Sequence, residues 1–164
     1  MKSLKIFLVI AALFLLERVF FAMYLEIFSL CPWLMFSFCL VAAAVADEPS
    51  EAIVTAGFCG LLADISGGGY AGSSMAVFAL SATAVYYFTS RFFRNSRLIA
   101  LIAVFLFGLL GEMLYFLLNS SGINNFSVIS VLWHIALPLA VIDTVFAFLV
   151  YPLAKRIFAG RRYV

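Results

Sequence analysis

The sequence predicts an all-α polytopic membrane protein, a single bundle of six transmembrane helices. Three observations lead there. Of 164 residues, 66% are hydrophobic and 11% charged, whereas an average soluble domain carries roughly 25% charged residues. Ten Lys/Arg and eight Asp/Glu cannot clothe the surface of a globular protein of this size, so lipid must cover it. Apolar runs approaching the ~20 residues needed to cross a hydrocarbon core recur from end to end with no long polar stretch between them. Basic residues collect in alternate gaps. The runs lack the period-two alternation of barrel strands, which leaves helices as the way to satisfy the backbone in lipid. Residues 1–164 are read as one integral membrane domain, with no room for a separate catalytic domain and no support for nucleic-acid binding.

The first span, 4–24, follows a short basic start and could pass for a secretory signal. No small-x-small cleavage site follows it, and the segment runs on through Glu17-Arg18 into further apolar residues, so it is read as a retained span. The second, 32–46, is short and opens on Pro32, which a first helical turn tolerates. The third, 51–65, is also short and ends in Ser66-Gly67-Gly68-Gly69, where each glycine disfavours helix by about 1 kcal/mol. The fourth covers 72–89 and the fifth 98–118. The sixth covers 128–153 and is expected to bend near Pro138.

Orientation follows from the positive charges. Lys2 and Lys5 precede span one, Arg91, Arg94 and Arg97 separate spans four and five, and Lys155, Arg156, Arg161 and Arg162 follow span six. With six spans and a cytoplasmic start, all three segments fall on the inner side and both termini are cytoplasmic. Five spans would put the basic tail outside. The acidic loop Asp47-Glu48-Pro49-Ser50-Glu51 is compatible, because acids contribute little to orientation.

Ionisable groups within spans are costly, so each needs a partner or a purpose. Glu17 and Arg18 lie in span one, Glu112 in span five and Asp143 in span six, while Asp64 closes span three near the outer side. A proton or cation path is one reading. The simpler one is charge pairing between helices, with Arg18 neutralised by Glu112 or Asp143; equal depth favours Glu112. His134 stands without the second His or Cys that a metal site needs and is read as a packing residue. Cys31, Cys39 and Cys59 show no C-x-x-C spacing and are read as buried packing thiols. Most of the nineteen phenylalanines, scattered over all spans, are read as facing lipid or neighbouring helices. No nucleophile-elbow, zinc-protease or phosphate-loop pattern occurs, so no catalytic residue, metal or cofactor is expected.

Small residues concentrate around spans three and four: Gly57, Gly60, Gly67, Gly68, Gly69, Gly72, Ser73, Ser74 and Ala76. Close helix packing requires such residues. They suit either a tight hairpin with a glycine-dependent outer turn or a turn around Asp64 that contacts a partner or ligand.

The run Gly57-Phe58-Cys59-Gly60-Leu61-Leu62-Ala63-Asp64-Ile65-Ser66-Gly67, with Gly72 after it, resembles the G-F-x-x-G-x-x-x-D-x-x-x-G type signature of the rod-shape-determining MreD family, with one residue fewer between the first glycines. A proline opening span two and the Val150-Tyr151-Pro152-Leu153 ending before a basic tail are also similar to that family, as are length and topology. Asp143 departs from the resemblance, which leads one to expect Asn there. The resemblance implies a non-catalytic inner-membrane scaffold of the cell-elongation machinery. Such a scaffold binds the single-span protein MreC and links MreB filaments to RodA and its partner transpeptidase in peptidoglycan synthesis. It further implies that Gly57, Phe58, Gly60, Asp64, Gly67 and Gly72 are a structural or partner-binding motif. The basic inner loop and tail suit anionic lipid or a cytoplasmic partner. The rival from another class is a substrate-binding S component of an energy-coupling-factor vitamin transporter. Against it, span one offers only Ala11, Ala12 and Ala22 in place of the small residues at four-residue spacing that such proteins use for coupling.

Overall fold

The computed structural model describes residues 2–21, 33–66, 70–92, 96–119 and 128–158, and these are helical apart from short turns, with no strand. Six helical segments fall on the six apolar runs. Helix α1, Lys2–Leu16, continues through a wide π-type turn, Glu17–Phe21. It is followed by α2, Leu34–Val45; α3, Pro49–Ser66; α4, Ser73–Arg91; and α5, Arg97–Asn119. Helix α6 comprises Val128–Val131, a wide turn Leu132–Ala136, and Leu137–Phe158. Two segments, Arg97–Asn119 and Ile129–Phe158, are long and apolar enough to cross a membrane, and Leu34–Val45 is a shorter apolar helix.

Helix α2 is the axis of the fold. All twelve of its residues are buried, and every one of the other five helices packs on it. A helix hydrophobic all round has no face to give to solvent and finds its place inside a bundle. Twelve residues at about 1.5 Å each reach only about 18 Å, which is why this run looks short for a span. Aromatic rings fill the end of the bundle at the start of α2. Trp33 meets Tyr115 edge-on at 4.3 Å between centroids, and Phe36 meets Phe78 at 4.7 Å. Gly111 makes room for Phe36: a Cβ at Gly111 would lie 2.5 Å from Phe36 Cζ.

Both helix-interior prolines have a visible local consequence. Pro138 cannot donate to the carbonyl four residues back, and its ring crowds that position. The expected bend takes the form of the wide turn just before it, in which Leu137 N–H donates to the Leu132 carbonyl five residues back. Pro152 likewise leaves the Phe148 carbonyl without its helical donor. Arg97, at the start of α5, donates from Nη2 to that carbonyl at 2.8 Å and stacks its guanidinium 3.8 Å from the Phe148 ring centroid.

Candidate functional site

The motif around Asp64 is a tight hairpin of α3 and α4. Gly57 and Gly60 lie on the side of α3 that meets α4. At Gly60 a Cβ would stand 2.5 Å from Met75 Cα and 2.8 Å from both Met75 N and the Ser74 carbonyl, so only glycine permits this approach of backbones. At Gly57 the nearest atom is the mobile end of Met75, 3.8 Å away. The approach brings Asp64, one turn beyond Gly60, over the first turn of α4. Its carboxylate accepts from the backbone N–H groups of Gly72 at 3.0 Å, Ser74 at 2.9 Å and Met75 at 3.1 Å.

These are the amides that a helix start leaves without intrahelical partners, and a carboxylate there also meets the positive end of the helix dipole. Ser73 N–H donates to the Tyr70 carbonyl, which completes the turn. Gly72 is the helix-capping residue with φ of +91°, a left-handed conformation that side chains oppose. Asp64 therefore caps a neighbouring helix from outside its own chain segment. Gly67 lies outside the described residues.

Asn119, at the end of α5, ties a third helix to this turn. Its Oδ1 accepts from Tyr70 N–H at 3.1 Å, and its Nδ2 donates to the Tyr115 carbonyl at 3.0 Å and to Ser73 Oγ at 3.4 Å. Sequence reasoning did not single it out, although an Asn closing an apolar helix is a recognised stop signal. Phe58 points the other way, 37% exposed, with its ring 5.9 Å from that of Phe7. It lines a groove of about 360 Å³ between α1 and α3, along with Ile6, Ile10, Val54 and Thr55.

The interior acids are arranged differently from the expectation. Glu17 repeats the device of Asp64: its Oε2 accepts from Met35 N–H at 3.0 Å, in the first turn of α2. Asp143 is fully buried, and its Oδ1 is in hydrogen-bond contact with Ser37 Oγ at 2.8 Å. Glu112 is buried as well. Arg18 does not pair with Glu112; it is exposed, and Glu112 Oε1 has no hydrogen-bond partner among the described residues. Consecutive residues on a helical path point in different directions, so once Glu17 faces α2, Arg18 turns away from the bundle. His134 is exposed, with Nδ1 3.0 Å from the Ser130 carbonyl. Cys39 and Cys59 are buried free thiols, and Cys31 lies outside the described residues.

Gly57, Gly60, Asp64 and Gly72 of the motif thus lie together in one hairpin. The family model for rod shape-determining protein MreD matches residues 1–157. The chain belongs to the MreD family. No curated protein and no solved structure matches it significantly. MreD proteins are rod-shape-determining membrane proteins, and the lipid-compatible composition and apolar helices of this chain agree with that class.

Proposed function

We propose that this MreD-family chain is a non-catalytic scaffold of the cell-elongation complex in the bacterial inner membrane, with six spans and both termini in the cytoplasm. The observation that carries the reading is the family match over residues 1–157. The hairpin adds physical support: Asp64 and the glycines serve the packing and capping of helices, as a rigid platform requires. Its partner is an MreC-type single-span protein, through which MreB filaments are linked to RodA and its transpeptidase. In this reading the groove between α1 and α3 is the seat of that partner's span. It is lined mainly by apolar side chains, Phe58 of the motif among them, with Ser50 and Glu51 at the end where α3 starts, and an apolar groove suits helix-in-groove recognition. Arg91, Arg97, Lys155 and Arg156 face the cytoplasm and its anionic lipid.

Affinity purification from bilayer-derived detergent extracts is the direct test. The full chain should recover an MreC-type protein in fixed ratio. Phe58→Ala, which removes a ring that lines the groove and leaves the Asp64 cap and the Gly60 contact in place, should lower that recovery severalfold in a chain that still folds. Failure to recover such a protein, or tight stoichiometric binding of a vitamin, would overturn the reading.

A further inference from the structure

Two interior acids have no part in the hairpin. Asp143 on α6 is 0% exposed and Glu112 on α5 is 6% exposed. Asp143 Oδ2 and Glu112 Oε1 have no hydrogen-bond partner among the described residues. The two helices pack on each other, and the carboxyl groups lie within electrostatic reach of one another.

Among the described residues, what faces them is not basic. Helix α1 brings Glu17 within reach of Asp143, and α2 brings Ser37 and Cys39. Helix α3 brings Cys59, which faces Glu17; α4 brings the Ser81 hydroxyl beside Gly111; and α5 itself adds Tyr115. Arg18 and His134, the basic residues of the flanking wide turns, are exposed. Ionised, the pair would be two like charges in a medium that solvates neither. Neutral, Asp143 would leave only a carbonyl-type oxygen unmet and Glu112 an uncharged acid group, a far smaller cost than two buried charges.

Counting protons at Ser37 points the same way. Ser37 Oγ lies 2.8 Å from Asp143 Oδ1 and 3.3 Å from the Trp33 carbonyl oxygen. A hydroxyl has one proton to give, and an ionised Asp143 would take it from the Trp33 carbonyl, which would keep only its backbone donor, Ser37 N–H at 3.0 Å. With a proton on Asp143 Oδ1, the acid donates to Ser37 Oγ and Ser37 donates to Trp33. Both contacts are then satisfied in one direction.

We propose that Asp143 and Glu112 form a proton-binding site in the interior of the bundle, each held as a neutral acid, with Ser37 passing the Asp143 contact on to the Trp33 carbonyl. A hard metal cation in this place would need several further oxygens around it. The groove between α1 and α3 reaches neither acid. The inference rests on the burial of these helices and not on the scaffold's partners.

The test is infrared difference spectroscopy of the full chain in lipid bilayers, reading the C=O stretch of protonated carboxylic acids across pH in H2O and D2O. At neutral pH the wild type should show components that shift in D2O and vanish on alkalinisation. Asp143→Asn should remove one component, Glu112→Gln another, and the double variant both. Ser37→Ala should move the frequency of the Asp143 component alone. A wild-type spectrum without such components overturns the proposal with no variant needed. So does a signal that follows sodium concentration and ignores pH, or one that survives in the double variant.

Discussion

Asp64 holds three backbone amides of a helix that begins nine residues after it, and its value follows from what those amides would otherwise lack. Removing a capping side chain costs about 0.5–2 kcal/mol, and a carboxylate with three donors belongs at the upper end. Asp64→Ala should therefore lower stability by about 2 kcal/mol and Asp64→Asn by less, measured as the thermal unfolding shift of the purified protein in detergent. The glycines separate by environment. Gly60→Ala must push Met75 backbone away and should be far more damaging than Gly57→Ala, which meets only the end of a flexible side chain. Gly72→Ala meets no neighbour at all and should cost about 1–2 kcal/mol through its φ alone. A stability ranking with Gly57 as the worst site would contradict this account. At this scale the sequence was legible where chemistry and geometry coincide: glycine spacing marked a close approach, and Asp64 stood at its end. It was illegible for Arg18, because depth along a helix can be counted from residues whereas the direction a side chain takes depends on which neighbour claims the position beside it.

Among elements, Arg97 and Pro152 form a linked pair across α5 and α6. Pro152 takes away the helical donor of the Phe148 carbonyl, and Arg97 replaces it while covering the Phe148 ring. A hydrogen bond from a charged donor contributes about 1.5–3 kcal/mol when buried. Arg97 is exposed, so Arg97→Ala should cost about 1 kcal/mol after solvent screening. In a Pro152→Ala background residue 152 recovers an N–H for the Phe148 carbonyl, and the cost of Arg97→Ala should fall. A double-mutant cycle of the unfolding free energy reads this directly, and strict additivity would remove the link. Sequence patterning located α3, α4 and α5 to within a few residues, since glycine, acidic and basic punctuation stands beside each. The bend before Pro138 was legible for the same reason. The Arg97 contact was not, because it joins residues 51 positions apart and nothing in either local segment announces the other. The cap that Glu17 gives to α2 is equally nonlocal.

At the scale of the whole molecule, the basic residues give an asymmetry that any topology must respect. If the chain crosses the membrane six times, single cysteines placed at positions 92 and 96 should be protected from membrane-impermeant maleimide in intact cells. Those placed at 70–72 should be labelled, in a background in which Cys31, Cys39 and Cys59 are replaced by Ala. Labelling at positions 92 and 96 would reverse the orientation. The all-helical class was legible from the apolar runs and their lack of period-two alternation. Which helix sits at the centre was not, since a buried core helix and a lipid-facing one use the same residues. That central position of α2 also constrains the order of biosynthesis. Synthesis runs from the amino terminus, so α2 emerges before α3, α4, α5 and α6, four of the five helices that enclose it. Until the last helix is made, part of its sheath is missing. Its start is met early by α1, through the Glu17 carboxylate. A nascent chain halted after α4 has α1, α3 and α4 but lacks α5 and α6, so one side of its central helix is uncovered, and a chain stalled there should be cleared by quality-control proteolysis faster than the full chain.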